Sequence, residues 1–566
     1  DLPGERDLSA RLTALWRPSD DFSLNLKGSL TRYRTENATW NNELINCPVG
    51  GFAQVNRTEA CSPDRHIQQN AVPADVAATN PLLGRHGGQL YQDYDAYSIS
   101  AAANYSTGKV DLTSVTGLHR FKNYFLGDYD YTGAANGGTW GSEQSKYKAF
   151  SEEIRAQTTL DFPLNVMVGV YFQSTRLDFD QQIIFPGALE DTRVTDPTKR
   201  YITVAKLSYT DGRTFAGFAQ AQWKFSDELE LTAGARYTHE TKDSQFVQPY
   251  VVAPFQPVFR VNRPIIANQS FNDLSPEVTL TWKPSDNWTA FASYKQGFKS
   301  GGFSGSALDS AIGNTTVNDL AFRPESAEGF EGGVRGAVLD GRLRFAVDVY
   351  SYKYSDLQVD FFDAAKIQFI TKNAGSSRTK GIETEVEWAP AEVPGLVLRG
   401  TLAYNKARYL NFSDAPCWGG QTPAEGCTII NARPTQDLSG KPTALAPKWT
   451  GALEANYERP VGNSLVFGAS ANLKYSSSYV ANPFNNPAAK EDSYVTLDAA
   501  IRLKTADGRW EAALLAKNLT DEYVVLYAGD APSSGSGAGT AAGVRADAVA
   551  APNLPRTIAL QLTWKY

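Results

Sequence analysis

The sequence predicts an all-β protein, a transmembrane antiparallel β-barrel with short turns at one rim and long loops at the other. Three observations carry that prediction. The first is strict alternation through residues 273–303. Val278, Leu280 and Trp282 fall on one side of a strand, and Glu277, Thr279, Thr281 and Lys283 on the other. Pro284, Ser285, Asp286 and Asn287 interrupt the run, because proline fixes φ and lacks an N–H while the small polar side chains bond to turn backbone. Beyond them Trp288, Ala290, Ala292 and Tyr294 face one way, and Thr289, Ser293 and Lys295 the other. A period of two on both sides of a tight turn is a hairpin with one greasy and one wet face. The second observation is repetition. The segments starting at Trp16 (with Arg17, Pro18, Ser19, Asp20) and at Trp223 (with Lys224, Phe225, Ser226, Asp227) restate Trp282 to Asp286. The third is spacing: strand pairs joined by short turns are separated by long loops, the asymmetry of outer-membrane barrels.

Composition agrees. A length of 566 residues would otherwise suggest about three or four soluble domains. Aromatic residues make up 12%, with one Met, four His and four Cys. The apolar runs fall far short of the ~18 residues of a membrane helix. A net charge of -7 and a pI near 5.4 argue against a nucleic-acid partner. A mean hydropathy of -0.35 suits a barrel with a polar lumen and wet loops. The polar opening around Asp1, Glu5 and Asp7 has no signal-peptide pattern, which predicts a mature chain or a fragment.

In chain order, the first strand is 7–17, with Leu8, Ala10, Leu12, Ala14 and Trp16 on one face. Residues 22–36 follow the first turn, and then a loop of about fifty residues holds Cys47 and Cys61. Strands 92–106 and 109–125 join at Thr107-Gly108, and 147–161 and 165–182 around Pro163. Strands 213–224 and 228–242 carry the second copy of the repeat, and 271–283 and 288–300 the third. Strands 325–337 and 342–359 turn at Asp340-Gly341, a strong hairpin dipeptide. Then come 376–388 with 396–412, 447–458 with 464–478, 492–504 with 509–519, and the closing strand 554–566. The prediction is 19 strands. In the last, Ile558, Leu560, Leu562, Trp564 and Tyr566 share one face.

Several stretches then resemble the TonB-dependent receptors, gated transporters of the Gram-negative outer membrane. These are Tyr294 through Phe303 with its Gly297-Phe298-Lys299 and Gly301-Gly302, and Phe322-Arg323-Pro324-Glu325 running on through Glu328, Glu331 and Gly333. Asn373-Ala374-Gly375 with Arg378 and Gly381-Ile382-Glu383-Thr384-Glu385, Asn518-Leu519-Thr520-Asp521-Glu522-Tyr523, and Pro555-Arg556-Thr557 complete the ordered set. The wording is most similar to receptors of sphingomonads and related alphaproteobacteria. The resemblance implies TonB-driven, high-affinity uptake of a scarce ligand at the cell outer membrane, chiefly a ferric siderophore or other iron complex. Its partners would be outer-membrane lipid, a small-molecule ligand such as a metal chelate, and the TonB–ExbB–ExbD complex. A passive porin, a structural or adhesive barrel, and a receptor for a carbohydrate or other non-iron nutrient are the alternatives.

The residues point to binding rather than catalysis. His66, His86, His119 and His239 lack metal-ligand spacing, and no nucleophile elbow is present. No cofactor, metal site or catalytic set is expected, and the chain is not read as an enzyme. Tyr124, Tyr129, Tyr131 and Trp140, with Phe298 and Phe303 at the outer end of the central hairpin, offer aromatic surface for a planar ligand, or form the upper girdle and loop packing. Glu383, Glu385 and Glu387 share one strand face. They either line a path for a cationic ligand or pair with a plug domain inside the lumen. Cys47 with Cys61, and Cys417 with Cys427, sit one pair to a loop. Two disulfides are expected in an oxidising location, with reduced thiols the alternative.

In the resembled family a TonB-contacting box and a plug precede 22 strands. Residues 1–566 show neither and begin with a strand. They are therefore read as the C-terminal barrel portion, strands 4 to 22, and lone TonB-driven import is not expected of them. The first and last strands would then carry bare edges, which lipid cannot satisfy.

Overall fold

Inside hydrocarbon a backbone N–H or C=O finds no water, so a spanning sheet must bond every strand to a neighbour. The computed structural model describes residues 4–37, 42–48, 61–133, 138–311, 314–363, 368–430, 433–532 and 534–565. Its main element is one antiparallel sheet of 19 strands. In chain order these are β1 (Gly4–Ser19), β2 (Phe22–Glu36), β3 (Tyr91–Ser106), β4 (Val110–Asp128), β5 (Trp140–Thr158), β6 (Leu164–Ile184), β7 (Val204–Lys224), β8 (Leu229–Val251), β9 (Ile265–Ser285) and β10 (Trp288–Lys299). The second half is β11 (Glu325–Val338), β12 (Leu343–Ser355), β13 (Ser376–Trp388), β14 (Leu396–Asn411), β15 (Trp449–Val461), β16 (Leu465–Ser476), β17 (Tyr494–Thr505), β18 (Trp510–Lys517) and β19 (Thr557–Trp564). Each strand pairs with its chain neighbours, and among the described residues no ladder joins β1 to β19. Tyr566, the terminal aromatic, lies outside the described residues.

The predicted alternation is the register of the wall. On the outward face Leu8, Leu12, Val168, Leu280, Phe330, Ile382, Leu402, Leu560 and Leu562 are exposed, the apolar surface a barrel turns to hydrocarbon. Trp16, Trp223, Trp282, Trp288, Trp388, Trp510 and Trp564 are also exposed, and all lie at the short-turn ends of their strands. An indole there bridges hydrocarbon and water, so these ends mark the inner membrane boundary. In two copies of the turn repeat the strand bulges past its Trp and closes on two residues. Ser19 pairs with Phe22 after a shift from Trp16, and Ser285 pairs with Trp288 after a shift from Trp282. Pro284 and Ser285 thus belong to the strand, and Asp286-Asn287 alone forms the turn. The third copy, with Phe225 in place of proline, is a longer turn between Lys224 and Leu229.

The strands of the first half run further outward than the alternation predicts. β5 starts at Trp140 rather than 147, β7 at Val204 rather than 213, and β8 runs to Val251 rather than 242. Above the hydrocarbon neither face meets lipid, so the two-residue rhythm fades while the backbone ladder continues. The buried apolar core lies in the outer loops. Its largest cluster gathers Val72, Val76, Leu83, Leu90, Tyr91, Leu126, Trp140, Ile184 and Ile202. Small loop sheets stitch the outer surface. In one, Val525–Asp530 pairs with Ala548–Pro552, which pairs with Glu43–Asn46. This last sheet ties the loop after β2 to the loop before β19, across the seam where the main ladder is not joined.

Candidate functional site

The inward face is polar and carries two differentiated walls. On β3, β4 and β5 the register turns Tyr94, Phe121 and Tyr147 inward. Their rings form a continuous row, Tyr94 to Phe121 at 5.6 Å and Phe121 to Tyr147 stacked at 5.4 Å. His119 closes the row from below, 6.1 Å from both Phe121 and Tyr147, its Nδ1 held 2.7 Å from Ser98 Oγ. Deeper in the lumen the Arg236 guanidinium lies over Tyr171 at 5.1 Å and Phe218 at 5.5 Å. Ring edges and faces in such rows present flat amphipathic surface.

The opposite wall is acidic. Asp348 of β12 is the cross-strand partner of Glu383 of β13, a like-charge pair that is unfavourable unless something cationic approaches. Glu385 and Glu387 continue the row. Glu387 is tied to Arg399 at 2.8 Å, and Arg399 lies 4.0 Å from Glu454. Glu331 of β11 accepts from the Tyr352 hydroxyl at 3.0 Å and lies 3.6 Å from Lys295. At the outer ends of β15, β16 and β17 a cavity of about 630 Å³ is lined by Lys474, Tyr479, Tyr494, Thr450, Thr496 and Leu526.

The aromatic residues singled out in the sequence lie elsewhere. Trp140 is 2% exposed, and its Nε1 donates to the Asn70 carbonyl at 3.0 Å; a side chain so enclosed offers a ligand no surface. Tyr124 is half-buried against the same cluster, with the Arg85 guanidinium 4.3 Å over its ring. The Tyr129 hydroxyl donates to Glu143 at 3.3 Å. Tyr131, with φ 55°, packs on the cluster of Leu44, Ala531 and Val549, against which Cys47 and Cys61 also pack. Burial raises both tyrosine hydroxyls above their usual range. It also raises the Asp130 carboxyl, which accepts from the Thr132 N–H at 3.0 Å and the Thr139 N–H at 2.6 Å. Phe303 packs on Phe246, Ile265 and Leu320. Phe298 shares the outward face of β10 with Tyr294 and Ala290, away from the lumen. These six build the outer cap and wall, while the residues that face the lumen together are Tyr94, Phe121, Tyr147 and His119. No local signal marks those four, since each strand supplies one or two and only the register aligns them. Cys47 is joined to Cys61 and Cys417 to Cys427, with Cα atoms 5.9 Å apart in each.

Residues 49–519 match the family model described as TonB dependent receptor-like, beta-barrel. The pesticin receptor of Yersinia pestis is 24% identical over 264 residues, 46% of this chain and 35% of that protein. The chain thus covers about a third of the length of that curated relative. Among solved structures, the ferric yersiniabactin uptake receptor from Yersinia pestis superposes with a TM-score of 0.69 at 14% identity, over 100% of this chain and 72% of its own. The siderophore receptor PiuA from Acinetobacter baumannii gives 0.65 at 14% identity, over 100% and 78%. The ferric citrate transporter FecA gives 0.62 at 13% identity, over 100% and 70%. At these identities the likeness is one of fold. With the family model spanning most of its length, the chain belongs to the TonB-dependent receptor-like β-barrels of the bacterial outer membrane.

Proposed function

We propose that this barrel is the wall of a TonB-dependent importer of a ferric siderophore or similar iron chelate. The chelate is received at the upper lumen against the Tyr94–Phe121–Tyr147 row, and the acidic wall opposite pairs with cationic groups of a plug. The observation that carries this reading is the inward aromatic row, a flat stacking surface at the height where a ligand enters. The iron-chelate names of the similar structures support the ligand class. In this reading residues 1–566 are the barrel portion, and sequence outside them supplies a plug, further strands and the contact with TonB–ExbB–ExbD. The unjoined β1 and β19 and the 72% coverage of the ferric yersiniabactin uptake receptor support that division.

The test is uptake of radioactive iron by a deletion strain complemented with the full receptor, supplied with a panel of ferric chelates. One chelate is expected to depend on the receptor and on TonB. Tyr94→Ala/Phe121→Ala/Tyr147→Ala should weaken its binding by about tenfold or more, from the loss of ring contacts, with the barrel still folded. Uptake that persists without TonB would mean a passive pore. Loss of growth on a glycan with every iron source unaffected would mean a carbohydrate receptor.

A further inference from the structure

At one height the outward face carries a charge pattern that a chain of net charge -7 does not lead one to expect. Arg120 of β4 is the direct cross-strand partner of Lys148 of β5, and Lys122 of Lys146. On the other side of the barrel Arg378 of β13 is opposite Arg408 of β14, and Lys380 opposite Lys406. Each set is a two-by-two block of cations, and all eight residues are exposed. Their parity places them outside. Arg120 and Lys122 are in step with Leu112 and Leu118, Lys146 and Lys148 with Phe150 and Ile154, Arg378 and Lys380 with Ile382 and Val386, and Lys406 and Arg408 with Leu402.

Like charges directly opposed across strands are unfavourable when left alone. The nearest acids relieve them only in part. Asp95, across from Lys122, is held by Arg34 at 2.8 Å. Asp178, across from Lys146, is held by Arg176 at 2.9 Å. Asp180 stands one rung higher, opposite Gln144, and interacts with Lys146 alone of the four cations. Beside the second block Lys353 adds a fifth cation, opposite Arg378, with Glu328 on its far side. Arg408 donates to the Gly440 carbonyl at 2.7 Å and Arg120 to the Tyr97 hydroxyl at 3.4 Å. Neither bond neutralises charge.

The height is the second observation. A tilted strand crosses hydrocarbon in about 9–11 residues. Arg120 lies ten residues from the foot of β4 at Val110, and Lys148 ten from the foot of β5 at Thr158. Arg378 lies ten from Trp388, and Lys406 ten from Leu396. Both blocks therefore stand at the outer edge of the hydrocarbon, directly above Leu118 and Phe150 in one case and Ile382 and Tyr404 in the other. A long cationic side chain there keeps its stem on apolar surface and its head at the interface.

We propose that the two blocks are docking sites for an anionic glycolipid of the outer leaflet. Its phosphate or carboxylate groups lie between the paired cations, and its acyl chains run down over the leucine, isoleucine and phenylalanine side chains below. Charge complementarity selects an anion, and the position at the hydrocarbon edge selects an amphiphile over a soluble ion. The sites are separate from the lumen and do not depend on what the receptor imports.

The test is native mass spectrometry of the receptor solubilised from outer membranes, stripped of lipid and mixed with bis-phosphorylated lipid A or its dephosphorylated form. Two phosphorylated molecules are expected to bind per barrel. Arg120→Gln/Lys122→Gln/Lys146→Gln/Lys148→Gln should remove one, and Arg378→Gln/Lys380→Gln/Lys406→Gln/Arg408→Gln the other, each weakening its site by at least about tenfold. Heat-modifiable migration on gels checks that the variants are folded. Equal binding of the two lipid forms, unchanged binding by both quadruple variants, or displacement by inorganic phosphate at concentrations equal to the lipid would overturn the proposal.

Discussion

Glu43 is 2% exposed and receives the Tyr523 hydroxyl as a hydrogen-bond donor. Burial raises its carboxyl above the ordinary range, and the Tyr523 bond offsets part of that rise. The sign follows directly. A carboxyl raised in the folded state contributes stability that is full below its unfolded pKa and is lost as pH rises through the folded value. We predict that amide exchange in 43–46 and 548–552, corrected for intrinsic rates, slows as pH falls from about 7 to about 5, and that Glu43→Gln flattens the dependence. Protection that does not change with pH in the native protein would refute this. Nothing local announces Glu43, because its burial comes from residues near the other end of the chain. Trp140 makes the same point in reverse. Its size and aromatic neighbours were legible in the sequence as a cluster, but only the loop packing decides that the cluster is closed to ligands.

At the scale of elements, the turn between β13 and β14 rests on Gly395. Its φ is +90°, and a Cβ there would overlap the Glu458 carbonyl oxygen in the neighbouring strand. Gly395→Ala should destabilise the barrel by about 1–3 kcal/mol, read as a shift in the urea midpoint of the lipid-reconstituted protein. Gly462→Ala, at φ +63° with nothing within 4 Å, should cost only about 1 kcal/mol. Equal shifts would show that the Glu458 contact does not matter. Strands of this kind were legible wherever one face meets lipid, since lipid enforces the two-residue rhythm. That is why strand number, pairing and the shared face of Glu383, Glu385 and Glu387 could be read from residues alone. The upper halves of β5, β7 and β8 were not legible for the same reason, because water and loops lie on both sides of them. The bulge beyond Trp282 was hidden too, since a proline before a turn reads as the turn itself.

Over the whole molecule, the main ladder joins only chain neighbours, whereas the small sheet of 43–46, 525–530 and 548–552 joins the two ends. Arg65 strengthens it, donating to the Glu522 carbonyl at 2.6 Å and to Asn553 Oδ1 at 3.2 Å, with its guanidinium 5.3 Å from the Tyr523 ring centre. The partners Glu43 and Tyr523 are 480 positions apart in sequence. Closing loops of this length carries a far larger chain-entropy cost than closing a hairpin, so this clasp is set after the hairpins, each of which forms locally. The expected kinetic signature is asymmetric. Arg65→Ala should leave the rate of folding into lipid vesicles nearly unchanged and speed unfolding, as for any contact absent from the transition state. A slowed folding limb would instead place the clasp in the nucleus. A chain ending before residue 548 could therefore zip every earlier hairpin of the sheet and still lack the strand that ties residues 43–46 to residues 525–530.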